Sequence, residues 1–98
     1  MAVRALPDGR PGVTRILYFT SPMCRPCRGF GPVLLAELEA LGVEAEKIDV
    51  STGAGMDTAT IYDVVAVPTV VIERDGEEVR RFGALLGSSL QDALSVLR

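Results

Sequence analysis

The stretch Thr20-Ser21-Pro22-Met23-Cys24-Arg25-Pro26-Cys27 joins two segments of opposite character. Upstream, residues 13–20 hold the apolar, β-prone run Ile16, Leu17, Tyr18 and Phe19. It is short and bounded by turn residues, as a strand buried on both faces is. Downstream, Phe30, Val33, Leu34, Leu38 and Leu41 recur at helical spacing, and Gly42 supplies a stop. Ser21-Pro22-Met23 breaks the strand, so the cysteine pair falls at the start of a helix directly after a strand. Pro32 inside that helix removes one backbone donor and is expected to kink it.

Beyond this corner, residues 43–50 alternate as a second strand, parallel to the first because a helix separates them. Residues 51–55 read as a loop and residues 56–64 as a short helix. Residues 69–74 and 78–82 read as strands joined by Asp75-Gly76-Glu77, a hairpin signal. Ser88 or Ser89 is expected to cap a last helix with Leu90, Ala93, Leu94 and Leu97 on one face. Residues 1–12 carry Pro7, Asp8-Gly9, Pro11 and Gly12 and read as an N-terminal arm, with Val3 to Leu6 a candidate edge strand. The domain proper is then 13–98. Its order β-α-β-α-β-β-α predicts an α/β fold, a mixed central sheet with helices on both faces.

Composition narrows the functional classes. A length of 98 residues suits one domain, and 48% hydrophobic residues with only 5% aromatic ones predict an aliphatic core. The net charge of −3 argues against nucleic acid as a main partner. The longest apolar stretch, residues 64–72, is interrupted by Pro68 and Thr69 and is too short to span a membrane. The first residues lack the apolar core of a secretory signal, so a cytoplasmic protein is expected. In that compartment paired cysteines are more often redox-active or metal-binding than structural.

Cys24 and Cys27 are the whole cysteine inventory, and there is no histidine, which excludes His-assisted nucleophiles and His-ligated metals. Cysteines three apart at a helix start have Cβ atoms roughly 5–6 Å apart, against about 3.5–4.5 Å in a disulfide. A small adjustment of the first turn therefore opens or closes the bond. The helix N-terminus favours a thiolate at Cys24, and Arg25 and Arg28 add positive charge. Cys27, one turn further in, is expected to be more shielded. Cys24 is thus the expected nucleophile and Cys27 the resolving thiol. Two readings compete. Half a zinc site would need a second pair from a partner chain, making a metal-sharing dimer or interaction module, and two inert buried thiols would sit oddly between Pro22 and two arginines.

Together these residues resemble the thioredoxin family from about residue 13 onward. Cys-Arg-Pro-Cys resembles the family's Cys-Gly-Pro-Cys, sharing Pro26, and Pro32 stands where the family's active-site helix has its kinking proline. Val67-Pro68-Thr69 resembles the segment whose proline is cis and faces the disulfide. Phe82-Gly83-Ala84-Leu85 resembles the last strand and the glycine beside the site. The resemblance implies a thioredoxin fold and reduction of protein disulfides by dithiol exchange. Electrons would come from a flavoprotein disulfide reductase, with no bound cofactor and no metal, in a monomer. Val67, Pro68 and Thr69, with Met23, Pro22 and Gly83, would form a shallow apolar rim for substrate peptide; Arg25, Pro26 and Tyr18 would tune the thiols. Bland readings stand beside these: Pro68 as an edge-strand proline, Gly83 as a bulge, Thr69 as a strand's first residue.

The chain also departs from the family. The buried Asp six residues before the first cysteine is Tyr18 here, the lysine that accompanies it is Ala45, and the tryptophan before the first cysteine is Met23. The loop Thr20-Ser21-Pro22-Met23 is similar to that of shorter glutaredoxin-like members. The alternative function is accordingly a glutathione-dependent reductase, with Arg25 or Arg28 pairing with the tripeptide's carboxylates.

Overall fold

A computed structural model describes residues 13–98. The expected arm and edge strand in residues 1–12 lie outside the described residues. The order is β1 (Thr14–Thr20), α1 (Arg25–Ala40), β2 (Glu46–Asp49), α2 (Gly53–Ile61), β3 (Thr69–Arg74), β4 (Glu77–Phe82) and α3 (Gly87–Ala93), followed by a 3-10 turn, Leu94–Leu97. The sheet runs β2-β1-β3-β4. β1 pairs parallel with β2 across the α1 crossover and antiparallel with β3, and β3 pairs antiparallel with β4. Asp75 and Gly76 both take positive φ, 57° and 84°, which matches a tight turn to the right-handed twist of the β3–β4 hairpin.

β1 is the axis of two cores. Its even residues Ile16 and Tyr18 face Phe30, Leu34 and Leu38 of α1, with Leu90 and Leu94 behind. Its odd residues Leu17 and Phe19 face Ala59 of α2 and Val71 of β3. The run Ile16–Phe19 is therefore apolar without alternation, and each of its large side chains stabilises the fold by roughly 1.5–3 kcal/mol relative to exposure. Helices cover both faces of a mixed sheet, as the pattern predicted. Arg15 clamps β1 to β2, donating from Nε and Nη2 to both carboxylate oxygens of Glu46 at 2.6 Å.

Several boundaries differ from the sequence pattern. β2 is only four residues long because it pairs with the last half of β1 alone, Leu17 to Thr20; Val43 and Ala45 instead pack on the core. α2 starts at Gly53 rather than Met56. The Thr52 hydroxyl caps it by accepting from the Gly55 amide at 2.9 Å, and a Cβ on Gly55 would lie 1.8 Å from the Asp49 carbonyl oxygen. Neither Ser88 nor Ser89 caps α3: the N-cap is Leu86, without a side-chain bond, and Gly87 at φ 60° makes the turn, so both serines fall inside the first helical turn. Val33 lies on the flank of α1 and is 38% exposed, while Phe30, Leu34 and Leu38 are buried.

Candidate active site

The strand-to-helix corner is built by local hydrogen bonds. Cys24 donates its amide to the Ser21 carbonyl at 3.1 Å, and Met23 donates its amide to Ser21 Oγ at 3.2 Å. Cys24 has extended backbone and is the N-cap of α1; its Sγ accepts the Cys27 amide at 3.2 Å. A sulfur thus takes the place of the usual hydroxyl or carboxylate cap on an otherwise unpaired first-turn amide. Pro26 follows in the first turn, where a missing N–H forfeits no helical bond. The four-residue motif is therefore a helix start as well as a redox pair.

Cys24 and Cys27 are joined as a disulfide with Cα atoms 5.3 Å apart, well inside the range such bonds use. Cys24 is 9% exposed and Cys27 5%, so both are shielded and the difference between them is small. On one side of the pair, the Val67 carbonyl oxygen lies 3.6 Å from Cys24 Sγ, a distance that a thiol proton would bridge once the bond is reduced. The Val67–Pro68 peptide is cis. Thr69 Oγ1 donates to the Ala66 carbonyl at 2.7 Å and closes this loop around Pro68.

The expected rim residues divide. Met23 is 86% exposed and Pro22 is exposed beside it, whereas Val67 and Thr69 are half-buried and Pro68 is buried. Gly83 stands next to Pro68, but a Cβ there would meet the Pro68 carbonyl oxygen at 3.5 Å, an ordinary contact. Nothing about that spacing demands glycine.

Of the residues expected to tune the thiols, Arg25 and Arg28 are exposed on the first turn of α1. Arg28 donates from Nη2 to the Pro22 carbonyl at 3.3 Å. Tyr18 is buried beneath the helix, edge-on to Phe30 at a centroid distance of 6.0 Å. Its hydroxyl donates to the Cys27 carbonyl at 3.5 Å. Tyr18 therefore braces the helix backbone and does not touch the resolving sulfur through a hydrogen bond.

On the other side of the disulfide runs a groove of about 610 Å³ between α1 and β2. Tyr18, Thr20, Lys47 and Asp49 form its floor; Cys27, Arg28, Pro32 and Leu35 line its α1 side. Ser51 donates to Asp49 Oδ1 from its hydroxyl at 2.6 Å and from its amide at 2.9 Å. The hydroxyl bond first, and then the amide, hold the Asp49 carboxyl below its usual range, with Lys47 adding a smaller pull. Sequence reasoning missed Lys47, Asp49 and Ser51 as site residues. Their signal is the register: Lys47 pairs with Tyr18 and Asp49 with Thr20, so alternate residues of β2 share the face under α1.

The profile of the family described as Thioredoxin matches residues 11–95. A thioredoxin of Mycolicibacterium smegmatis is 34% identical over 86 residues, covering 81% of this chain and 77% of that protein. A thioredoxin of Mycobacterium tuberculosis strain H37Rv is 33% identical over 76 residues, a match spanning 76% of this chain and 64% of the relative's length. Among solved structures, the thioredoxin of Fasciola hepatica superposes with a TM-score of 0.78 at 30% identity, covering 90% of this chain and 84% of its own.

Proposed function

The chain belongs to the thioredoxin family and is a thiol–disulfide oxidoreductase, and we propose that it reduces protein disulfides by two consecutive exchanges led by Cys24. The observation that carries this assignment is the Cys27 amide directed at Cys24 Sγ at 3.2 Å. With the dipole of α1 behind it, that amide favours a thiolate at Cys24 over one at Cys27.

In the first exchange the Cys24 thiolate attacks one sulfur of the substrate disulfide. The Cys24–substrate bond forms, the substrate S–S bond breaks, and the other substrate sulfur leaves as a thiolate that takes a proton from solvent. In the second, Cys27 gives up its proton and attacks Cys24 Sγ. The mixed disulfide breaks, the second substrate thiolate leaves and is protonated, and the Cys24–Cys27 disulfide remains. Two electrons pass to the substrate. Val67, whose carbonyl borders Cys24 Sγ, is the backbone against which a bound peptide would lie, with Met23 and Pro22 as apolar contacts. Pro68 and Thr69 shape that loop, and Gly83 flanks it.

This reading takes the electrons that restore the dithiol from a flavoprotein disulfide reductase, and it describes a cytoplasmic monomer that needs no bound cofactor. The test is reduction of insulin disulfides by the chain with NADPH and such a reductase, beside glutathione-driven reduction of a small mixed disulfide. Turnover in the first assay and none in the second is expected. Turnover only with glutathione would replace this reading with the glutathione-dependent one.

A further inference from the structure

The protein has a net charge of −3, yet cations gather at its disulfide. Arg25 and Arg28 are exposed on the first turn of α1, which holds no acidic residue, and Lys47 reaches the groove from β2. Among the described residues, the ion pairs join Arg15 to Glu46 and Glu73, and Arg81 to Glu78. None takes up Arg25, Arg28 or Lys47. Arg28 gives one donor to the Pro22 carbonyl, and a guanidinium keeps further donors beyond that one. The groove's own carboxylate, Asp49, already accepts two bonds from Ser51. Asp49 keeps its negative charge and lies within electrostatic reach of Lys47, so the three cations leave an excess of two over this one carboxylate.

We infer that the groove between α1 and β2 docks an acidic segment of the substrate protein, whose carboxylate is held by Arg28 and Lys47 while the neighbouring substrate sulfur meets Cys24. The inference rests on the thiol–disulfide reading and names its substrate class: disulfides with Asp or Glu a few residues from the reacting cysteine. The Val67–Pro68 loop lies against the disulfide on its β3 side, and the groove lies on its β2 side. A chain bound across Cys24 therefore runs from one to the other over Pro22. Pro32, Leu35 and Tyr18 give the groove apolar walls for the methylene stems, and Thr20 offers a hydroxyl. Charge complementarity at such a place acts on encounter and partner choice more than on the exchange chemistry.

The test uses the reduced full chain and three peptides with the same intramolecular disulfide, flanked by Glu, Gln or Lys. The Glu peptide is expected to be reduced about three- to tenfold faster than the Gln peptide at low salt, the scale of one or two exposed ion pairs. The Lys peptide is expected to be slowest. The spread should close between about 20 mM and about 500 mM salt, as the screening length shortens. Arg28→Gln with Lys47→Gln should bring the Glu/Gln ratio to one, and Arg28→Gln with Lys47→Glu should invert it. Using ratios within each variant cancels any change in thiol reactivity common to all peptides. A ratio of one in the wild type, or a ratio that survives in the double variant, overturns the docking inference. Failure to reduce any peptide overturns the thiol–disulfide reading beneath it.

Discussion

The Tyr18 hydroxyl fills the space beside Gly31: a Cβ added at Gly31 would lie 2.9 Å from it. Tyr18 is 2% exposed and held by Phe30, so its rigid ring has nowhere to retreat. Gly31→Ala should therefore destabilise the fold by about 1–3 kcal/mol through overpacking. Tyr18→Phe removes the hydroxyl and leaves the nearest ring carbon at 3.6 Å, an ordinary contact. In that background Gly31→Ala should instead stabilise, by up to about 1 kcal/mol of helix propensity. A denaturant-unfolding double-mutant cycle reads the coupling; additive effects would show that the two residues do not compete for this space.

Cys27→Ser should trap mixed disulfides with substrate, whereas Cys24→Ser should not, because only Cys24 accepts the Cys27 amide and caps α1. The readout is a gel shift under non-reducing conditions, with alkylation of the reduced chain at neutral pH as a second measure. Faster alkylation of Cys27 would exchange the two roles.

The Asp49–Ser51 contact gives a pH prediction. Hydrogen bonds from Ser51 depress the folded-state pKa of Asp49. Their stabilisation of the loop is therefore present above the unfolded value and is lost as pH falls through the depressed folded value, below about pH 4. Ser51→Ala removes the hydroxyl bond, so the Asp49 carboxyl should titrate closer to its ordinary range, by NMR of the side-chain carbon. An unmoved titration would mean that the Ser51 amide alone sets it.

Sequence made some of these features plain and hid others for physical reasons. Ile16 to Phe19, the helical stripe Phe30–Leu34–Leu38 and the cysteines between them are local patterns, and they positioned the redox pair. The length of β2 depends on how much of β1 is available to pair, and the start of α2 depends on Gly55 approaching the Asp49 carbonyl. Neither is local. The groove was invisible for the same reason: Lys47 and Asp49 are ordinary polar residues until the register sets them beside Tyr18 and Thr20.

Arg25 stands where the family has glycine between the first cysteine and the proline. A cation beside Cys24 stabilises the thiolate and hence the dithiol, which makes the protein more oxidising. Arg25→Gly should lower the reduction potential. Arg25 is exposed, so solvent and salt limit the change to roughly 5–20 mV. Equilibration against a glutathione redox buffer measures it; an unchanged or raised potential would leave Arg25 a role in partner choice alone.

Release of substrate from the Cys24 mixed disulfide requires Cys27 to lose its proton. Tyr18 occupies the position of the family's buried acid, and its hydroxyl donates to the Cys27 carbonyl. Residue 18 therefore offers the resolving thiol no carboxylate, and Cys27 must lose its proton to water or to the departing thiolate. The pH profile of this step in the wild type should follow the thiol alone, with no carboxylate inflection. Ala45 packs on the same core cluster as Tyr18, so Tyr18→Asp with Ala45→Lys adds an acid and an ammonium to that cluster. That pair should speed resolution, up to the roughly hundredfold that marks the lower end of what a positioned base supplies. The substitution also deletes a buried ring and introduces a buried carboxyl, costing about 3–5 kcal/mol. Unfolding curves must first show that the variant is native at the assay temperature. Stopped-flow of the resolving step on wild type and variant then decides. A carboxylate-like inflection in the wild type would show that another acid already serves Cys27, and an unchanged rate in a folded variant would show that proton removal does not limit the step.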